Sequence, residues 1–126
     1  MTMMDAALRE RASKIRMLVL DVDGVLTDGK LFFDHAGNEM KAFNTRDGLG
    51  MKALQRVGIE VAVITGRKSD AVAHRMNQLG IEHVYQGRED KLDAFLHLLE
   101  TTGLDADQVC FAGDDWIDLP VLIRVG

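Results

Sequence analysis

Apolar runs of strand length, Ile15 to Leu20, Glu60 to Ile64, His83 to Tyr85 and Gln108 to Ala112, recur along the chain with segments of helical period between them. This alternation constrains the fold more than any other feature. Parallel strands need long crossovers and are buried on both faces, so they read as near-continuous apolar runs separated by helices. The pattern predicts an α/β domain: a parallel sheet with helices on both faces. The helices are expected at about Gly48 to Arg56, Ser69 to Leu79 and Glu89 to Thr101, each followed by a glycine that can stop it. A short last helix is expected from Ile117 to Arg124, and a polar one from about Met4 to Ala12.

The segment Lys30 to Phe43 interrupts the alternation. It reads as two short strands around Asp34-His35-Ala36-Gly37-Asn38, whose Asp, Asn and Gly supply turn chemistry. Leu31, Phe32, Phe33, Met40 and Phe43 exceed what an isolated ribbon can bury, so they call for the parent domain or another subunit.

A chain of 126 residues fits one domain, expected to span 1–126 with the hairpin at about 30–43. Its 47% hydrophobic and 28% charged residues exclude a disordered chain, and its apolar runs fall far short of the ~20 residues that span a bilayer. Met1 to Arg11 lacks the apolar stretch of a secretory signal, so a cytoplasmic location is expected. The single cysteine, Cys110, lies in an apolar run and is expected to be a buried, inert thiol. The net charge of -5 argues against a nucleic-acid partner.

Ligands of open α/β sheets bind at the carboxyl ends of the strands, which directs attention to the polar residues that end the apolar runs. The first run ends in Asp21-Val22-Asp23-Gly24, with two carboxylates on the same side of an extended chain. Their repulsion calls for a hard cation such as magnesium. The second ends in Thr65-Gly66-Arg67, a hydroxyl, a glycine and a guanidinium suited to an anion. The third ends in Gly113-Asp114-Asp115, with Asp118 close behind. Lys91 opens a helix where the dipole favours negative charge, so lysine and dipole together favour a bound anion.

Other readings of these pieces fit the residues less well. A calcium-binding loop lacks its third acidic position and terminal glutamate, and no GxxxxGK[ST] nucleotide loop is present. His35, His74, His83 and His97 show no metal-ligand spacing. A phosphoacceptor signalling domain would carry its acidic pair before the acceptor strand, whereas here the Asp-x-Asp leads.

Together, Asp21-Val22-Asp23-Gly24-Val25-Leu26-Thr27-Asp28-Gly29, Thr65-Gly66-Arg67, Lys91 and Gly113-Asp114-Asp115-Trp116-Ile117-Asp118 resemble the signatures of the haloacid dehalogenase phosphatase superfamily. With Asn44-Thr45-Arg46-Asp47-Gly48 the likeness extends to its capless branch, where a hairpin replaces the cap domain. The resemblance implies a Rossmann-like fold and a magnesium-dependent phosphatase that acts on a phosphorylated keto-sugar acid of lipopolysaccharide synthesis as a homotetramer. Phosphatases of nine-carbon keto-sugars share the motifs, and a catalytically silent assembly domain is a further alternative. By this likeness Asp21 is the nucleophile and Asp23 the general acid and base. Thr65 and Lys91 hold the phosphoryl group, and magnesium is bound by Asp21, Asp23 through its backbone carbonyl, and Asp114. Asp115 and Asp118 orient Lys91 or metal-bound water. Asp23 and Lys91 also count as substrate contacts. Asn44, Thr45, Arg46, Asp47 and Gly48 with Lys52, Arg67 and Arg75 are implied on the sugar side. Capless enzymes continue into a further strand and helix beyond the point matching Val125-Gly126, so a truncated C-terminal end is expected.

Overall fold

The computed structural model describes residues 5–126. In chain order the elements are α1 (Ala6–Ser13), β1 (Met17–Leu20), β2 (Phe32–Phe33), β3 (Glu39–Met40), α2 (Thr45–Arg56), β4 (Glu60–Ile64), α3 (Asp70–Gln78), β5 (His83–Tyr85), α4 (Lys91–Thr102), β6 (Val109–Ala112) and α5 (Leu119–Leu122). The strands β5-β4-β1-β6 form a parallel sheet in that order, as the alternating pattern predicts. Of the expected polar N-terminal helix, Met4 lies outside the described residues. The remainder forms α1, which buries no side chain.

Strand alternation divides the core in two. Met17 and Val19 of β1, Ala62 and Ile64 of β4, and Val109 and Phe111 of β6 pack with Phe95 and Leu98 of α4 and Val121 of α5. On the opposite face Leu20, Val61 and Val63 pack with Met51 of α2 and Val72 and Met76 of α3. The side chain of Cys110 points to that second face from the edge strand β6 and is exposed, which corrects the expected buried thiol. An apolar run signals burial of a strand but not of both its faces, and at an edge one face can stay open.

Helix boundaries follow local chemistry. The helix expected from Gly48 begins at Thr45, because Asn44 caps it: its side-chain oxygen accepts from the Arg46 backbone N–H at 2.8 Å. Asp90 caps α4 by accepting from the Asp93 N–H, and Gly103, with φ 73°, ends it in the left-handed conformation. The segment expected as one terminal helix divides into a 3₁₀ turn at Trp116–Asp118 followed by α5.

The hairpin is a two-by-two-residue ribbon, Phe32 opposite Met40 and Phe33 opposite Glu39. Asp34 shapes its turn, accepting from the backbone N–H groups of Ala36 and Asn38 at 2.9 Å each. Phe43 packs against the second core cluster, whereas Leu31, Phe32, Phe33 and Met40 are exposed.

Phe95 is fully buried at the centre of the α4 face. Phe95→Ala is expected to destabilise the fold by about 3–5 kcal/mol through lost burial and an unfilled cavity. Urea unfolding followed by circular dichroism checks this.

Candidate active site

The carboxyl edge of the sheet gathers the polar residues that end three strands. The chain leaves β1 at Asp21, whose N–H donates to the Ala112 carbonyl at 3.0 Å, and then turns, with the N–H groups of Val25, Leu26 and Thr27 all directed at the Val22 carbonyl. After β4, the Thr65 N–H donates to Tyr85 and the Thr65 carbonyl accepts from Arg88, which ties this loop to the approach to α4. The result is a cavity of about 310 Å³ lined by Asp21, Asp23, Thr65, Arg67, Lys91, Asp114 and Asp115, among others.

Lys91 is the charge around which the cavity is built. It is 1% exposed, with Nζ at 2.6 Å from Asp118 Oδ1 and 3.2 Å from Asp21 Oδ1. A buried ammonium costs several kcal/mol unless carboxylates compensate it, and both are present. Asp118, fully buried, has its other oxygen Oδ2 accepting from the N–H groups of Asp114 at 3.1 Å and Asp115 at 3.2 Å. A side chain on Gly113 would collide with that carboxylate, so glycine is required for Asp118 to cap the loop. Burial pushes the Asp21 carboxyl above its ordinary pKa, against the Val22 N–H at 2.7 Å and the nearby Lys91, which favour the ionised form.

Asp21, Asp114 and Asp118 each offer a carboxylate oxygen within 4.8 Å of the others. Asp118 is committed to Lys91 and two backbone donors, so Asp21 and Asp114 are the carboxylates left for a cation. Gly24, at φ 84°, faces Asp114, and a Cβ there would collide with Asp114 Oδ2. The bare glycine makes room for that carboxylate to reach in beside Asp21. This oxygen-only donor set fits a hard divalent ion such as magnesium.

Asp23 has partners that the sequence did not disclose. Lys41 Nζ lies 2.6 Å from Asp23 Oδ1 and 2.6 Å from Glu39 Oε1. Arg67 donates to Glu39 Oε2 at 2.7 Å, and its Nε stands 3.8 Å from Asp23 Oδ2. Two carboxylates and two cations thus form a ring joining the loop after β1, the hairpin and the loop after β4. The Lys41 ammonium beside Oε1, then the hydrogen bond from Arg67, hold the Glu39 carboxyl below its usual pKa. Burial works to lower the Lys41 pKa, but the bonds to Asp23 and Glu39 outweigh it and hold it above the ordinary value.

The residues expected on the sugar side divide. Arg67 lines the cavity. Asn44 and Asp47 instead border a separate hollow of about 420 Å³ with Thr27 and Asp28. Thr45, Arg46 and Gly48 sit in the first turn of α2. The Arg75 guanidinium lies over Gly48, where a side chain would collide with it, and Lys52 Nζ lies beside Gly80. Neither Lys52 nor Arg75 lines the cavity within one chain. Asp115 reaches its own 3₁₀ turn, accepting from the Trp116 N–H at 2.7 Å.

The model of the haloacid dehalogenase-like hydrolase family matches residues 46–126. The 3-deoxy-D-manno-octulosonate 8-phosphate phosphatase KdsC of Yersinia pestis is 49% identical over 117 residues, 93% of this chain and 63% of the relative. The chain therefore spans less than two thirds of that relative's length. The crystal structure of the Moraxella catarrhalis 3-deoxy-D-manno-octulosonate 8-phosphate phosphatase, in complex with magnesium, phosphate and KDO, superposes with a TM-score of 0.90 at 41% identity, covering 93% of this chain and 67% of that one. The cobalt-bound Haemophilus influenzae deoxy-D-mannose-octulosonate 8-phosphate phosphatase superposes at 0.88 with 40% identity, covering 92% and 68%. With its strand-end carboxylates, threonine and buried lysine in one cavity, and with the match over residues 46–126, the chain belongs to the haloacid dehalogenase-like hydrolase family.

Proposed function

We propose that the protein is a magnesium-dependent phosphomonoester hydrolase that removes phosphate from 3-deoxy-D-manno-octulosonate 8-phosphate, a step of lipopolysaccharide sugar synthesis in the cytoplasm. The observation that carries this reading is the cavity in which Asp21, Thr65, Lys91 and Asp114 converge, with Lys91 3.2 Å from Asp21. The magnesium, phosphate and KDO named for the Moraxella catarrhalis structure support the substrate class and the ion.

In this reading Asp21 attacks phosphorus and becomes an aspartyl phosphate, which divides one hard displacement into two. Thr65 and Lys91 hold phosphoryl oxygens, and Lys91 also offsets repulsion between Asp21 and the anionic ester. Asp23 gives a proton to the departing alkoxide and later takes one from the attacking water. The Asp21 and Asp114 carboxylates, with the Asp23 backbone carbonyl, would hold magnesium. When bound, the ion supplies positive charge that offsets the charge of the phosphoryl oxygens. Asp118 orients Lys91 through their 2.6 Å bond, and Asp115 belongs to the same supporting layer. Arg67 would meet the sugar acid at the cavity rim. Asn44, Thr45, Arg46, Asp47, Gly48, Lys52 and Arg75 lie off this cavity, so a role toward sugar would require them to face the site of a second copy. The exposed Leu31, Phe32, Phe33 and Met40 support such an assembly, a homotetramer built through the hairpins.

Steady release of inorganic phosphate from the sugar phosphate with magnesium is the expected activity. Failure to release phosphate from any phosphorylated keto-sugar acid overturns the reading. Asp21→Asn is expected to lower turnover more than a hundredfold, a barrier change above about 3 kcal/mol. The same substitution should raise the melting temperature of the metal-free chain at neutral pH. A carboxyl whose native pKa lies above the unfolded one contributes stability fully below the unfolded value and loses it as pH rises through the native value. Asparagine avoids that loss, and magnesium should then stabilise the variant less than the wild type in thermal melts.

Gly24→Ala is expected to abolish the magnesium-dependent rise in melting temperature, because its methyl group collides with Asp114. Isothermal titration of magnesium checks it. Phe32→Asp is expected to dissociate the assembly, read by light scattering. It should also lower kcat/KM for the sugar phosphate more than for p-nitrophenyl phosphate, which needs less of a wall.

A further inference from the structure

Lys41 has no part in the chemistry described so far, yet its placement is unlike that of a surface lysine. Its side chain is 1% exposed, and Nζ lies 2.6 Å from both Asp23 Oδ1 and Glu39 Oε1. A lysine that only fastened the hairpin to the body could bind any carboxylate or carbonyl of that loop. This one takes a single oxygen of the side chain that must exchange protons. The other oxygen, Asp23 Oδ2, receives no hydrogen bond among the described residues, its nearest cation being Arg67 Nε at 3.8 Å. Arg67 is itself drawn toward Glu39 by a 2.7 Å bond.

A carboxylate rotates broadly about its terminal bond, so an aspartate left free would present either oxygen in many directions. Precise placement of the proton donor matters, because proton transfer requires hydrogen-bond contact with the leaving oxygen. We infer that Lys41, carried by the hairpin and backed by Glu39, is a positioning residue for the reaction: it holds Asp23 by Oδ1 and leaves Oδ2 as the oxygen that exchanges the proton. The inference rests on the phosphatase reading. In the first step the bond from an Asp21 oxygen to phosphorus forms as the bond from phosphorus to the sugar oxygen breaks. The proton on Asp23 Oδ2 passes to that sugar oxygen. In the second step water attacks the aspartyl phosphate, its proton moves to Asp23 Oδ2, and Asp21 is released as a carboxylate with inorganic phosphate. The hairpin thereby acts on the chemical step of its own chain, apart from any contact with a neighbour.

The test compares two esters with magnesium present. An alkyl phosphate such as 3-deoxy-D-manno-octulosonate 8-phosphate needs a proton on its leaving oxygen, and p-nitrophenyl phosphate, whose phenolate leaves unaided, does not. Lys41→Met is expected to slow the single-turnover transfer to Asp21, read as release of the sugar or of p-nitrophenolate, by about 30-fold for the sugar phosphate and by less than about 3-fold for p-nitrophenyl phosphate, whereas breakdown of the aspartyl phosphate, which also uses Asp23, slows alike for both. Lys41→Arg, which keeps a cation, should recover most of the loss. The double variant Asp23→Asn, Lys41→Met should be no slower than Asp23→Asn alone, because the lysine acts through the aspartate. Lys41→Gln, a milder neutral replacement, is measured beside Lys41→Met, with circular dichroism on each, so that a folding defect in one does not decide the outcome. Equal losses on both esters in the single-turnover transfer step of a folded variant, or additive losses in the double variant, overturn the inference while leaving the phosphatase reading intact. A wild-type chain that hydrolyses neither ester overturns that reading and this inference with it.

Discussion

The buried ammonium of Lys91 between Asp21 and Asp118 is the interaction on which the rest of the site depends. It fixes the start of α4 against the end of β1 and the 3₁₀ turn at Trp116–Asp118. Asp118 is the closer partner at 2.6 Å, and removing it would leave the desolvated ammonium poorly compensated. The interaction also determines what the remaining carboxylates can do. Asp118 is spent on Lys91 and on the backbone of the Gly113-Asp114-Asp115 loop, which aims Asp114 at Asp21. When all are ionised, three carboxylates and one ammonium leave two uncompensated negative charges, which is the deficit a divalent cation fills.

A second ionic unit stands beside the first and has a different character. The ring of Asp23, Lys41, Glu39 and Arg67 balances two charges of each sign, so it asks for no ion. Its work is geometric. It ties a ribbon of two-residue strands, too short to be stable alone, to the loop after β1 and the loop after β4. One carboxylate of the Asp21/Asp23 pair therefore belongs to a charge-deficient centre and the other to a neutral ring. That separation suits a nucleophile beside a cation and a proton carrier held in place.

Much of this was legible in the sequence because it depends on strand ends. Asp21 and Thr65 follow apolar runs directly and Asp114 follows one after a single glycine, and parallel strands bring their carboxyl ends to one edge whatever the connecting helices do. Lys91 stood out because a lysine opens a helix there, and the structure turns it inward to two carboxylates. Lys41 and Glu39 gave no such signal. They sit in a polar stretch whose alternation fits an exposed ribbon, and only the fold-back of the hairpin brings Lys41 to Asp23 across 18 positions. The Cys110 expectation failed for a related reason: an apolar run does not tell which strand lies at the edge of the sheet. Arg75 and Lys52 carry suitable charges, but the pairing of α2 with α3 places them over Gly48 and Gly80, away from the cavity.

The central claim is that phosphorus is transferred to Asp21 before it reaches water. Rapid-quench treatment of excess protein with magnesium and substrate carrying ³²P, followed by acid and peptide mapping, addresses this directly. The account predicts a transient acid-stable label on the peptide containing Asp21, rising before inorganic phosphate and decaying as it appears. Inorganic phosphate released in the first turnover with no label on the chain, or a label at another residue, would contradict it.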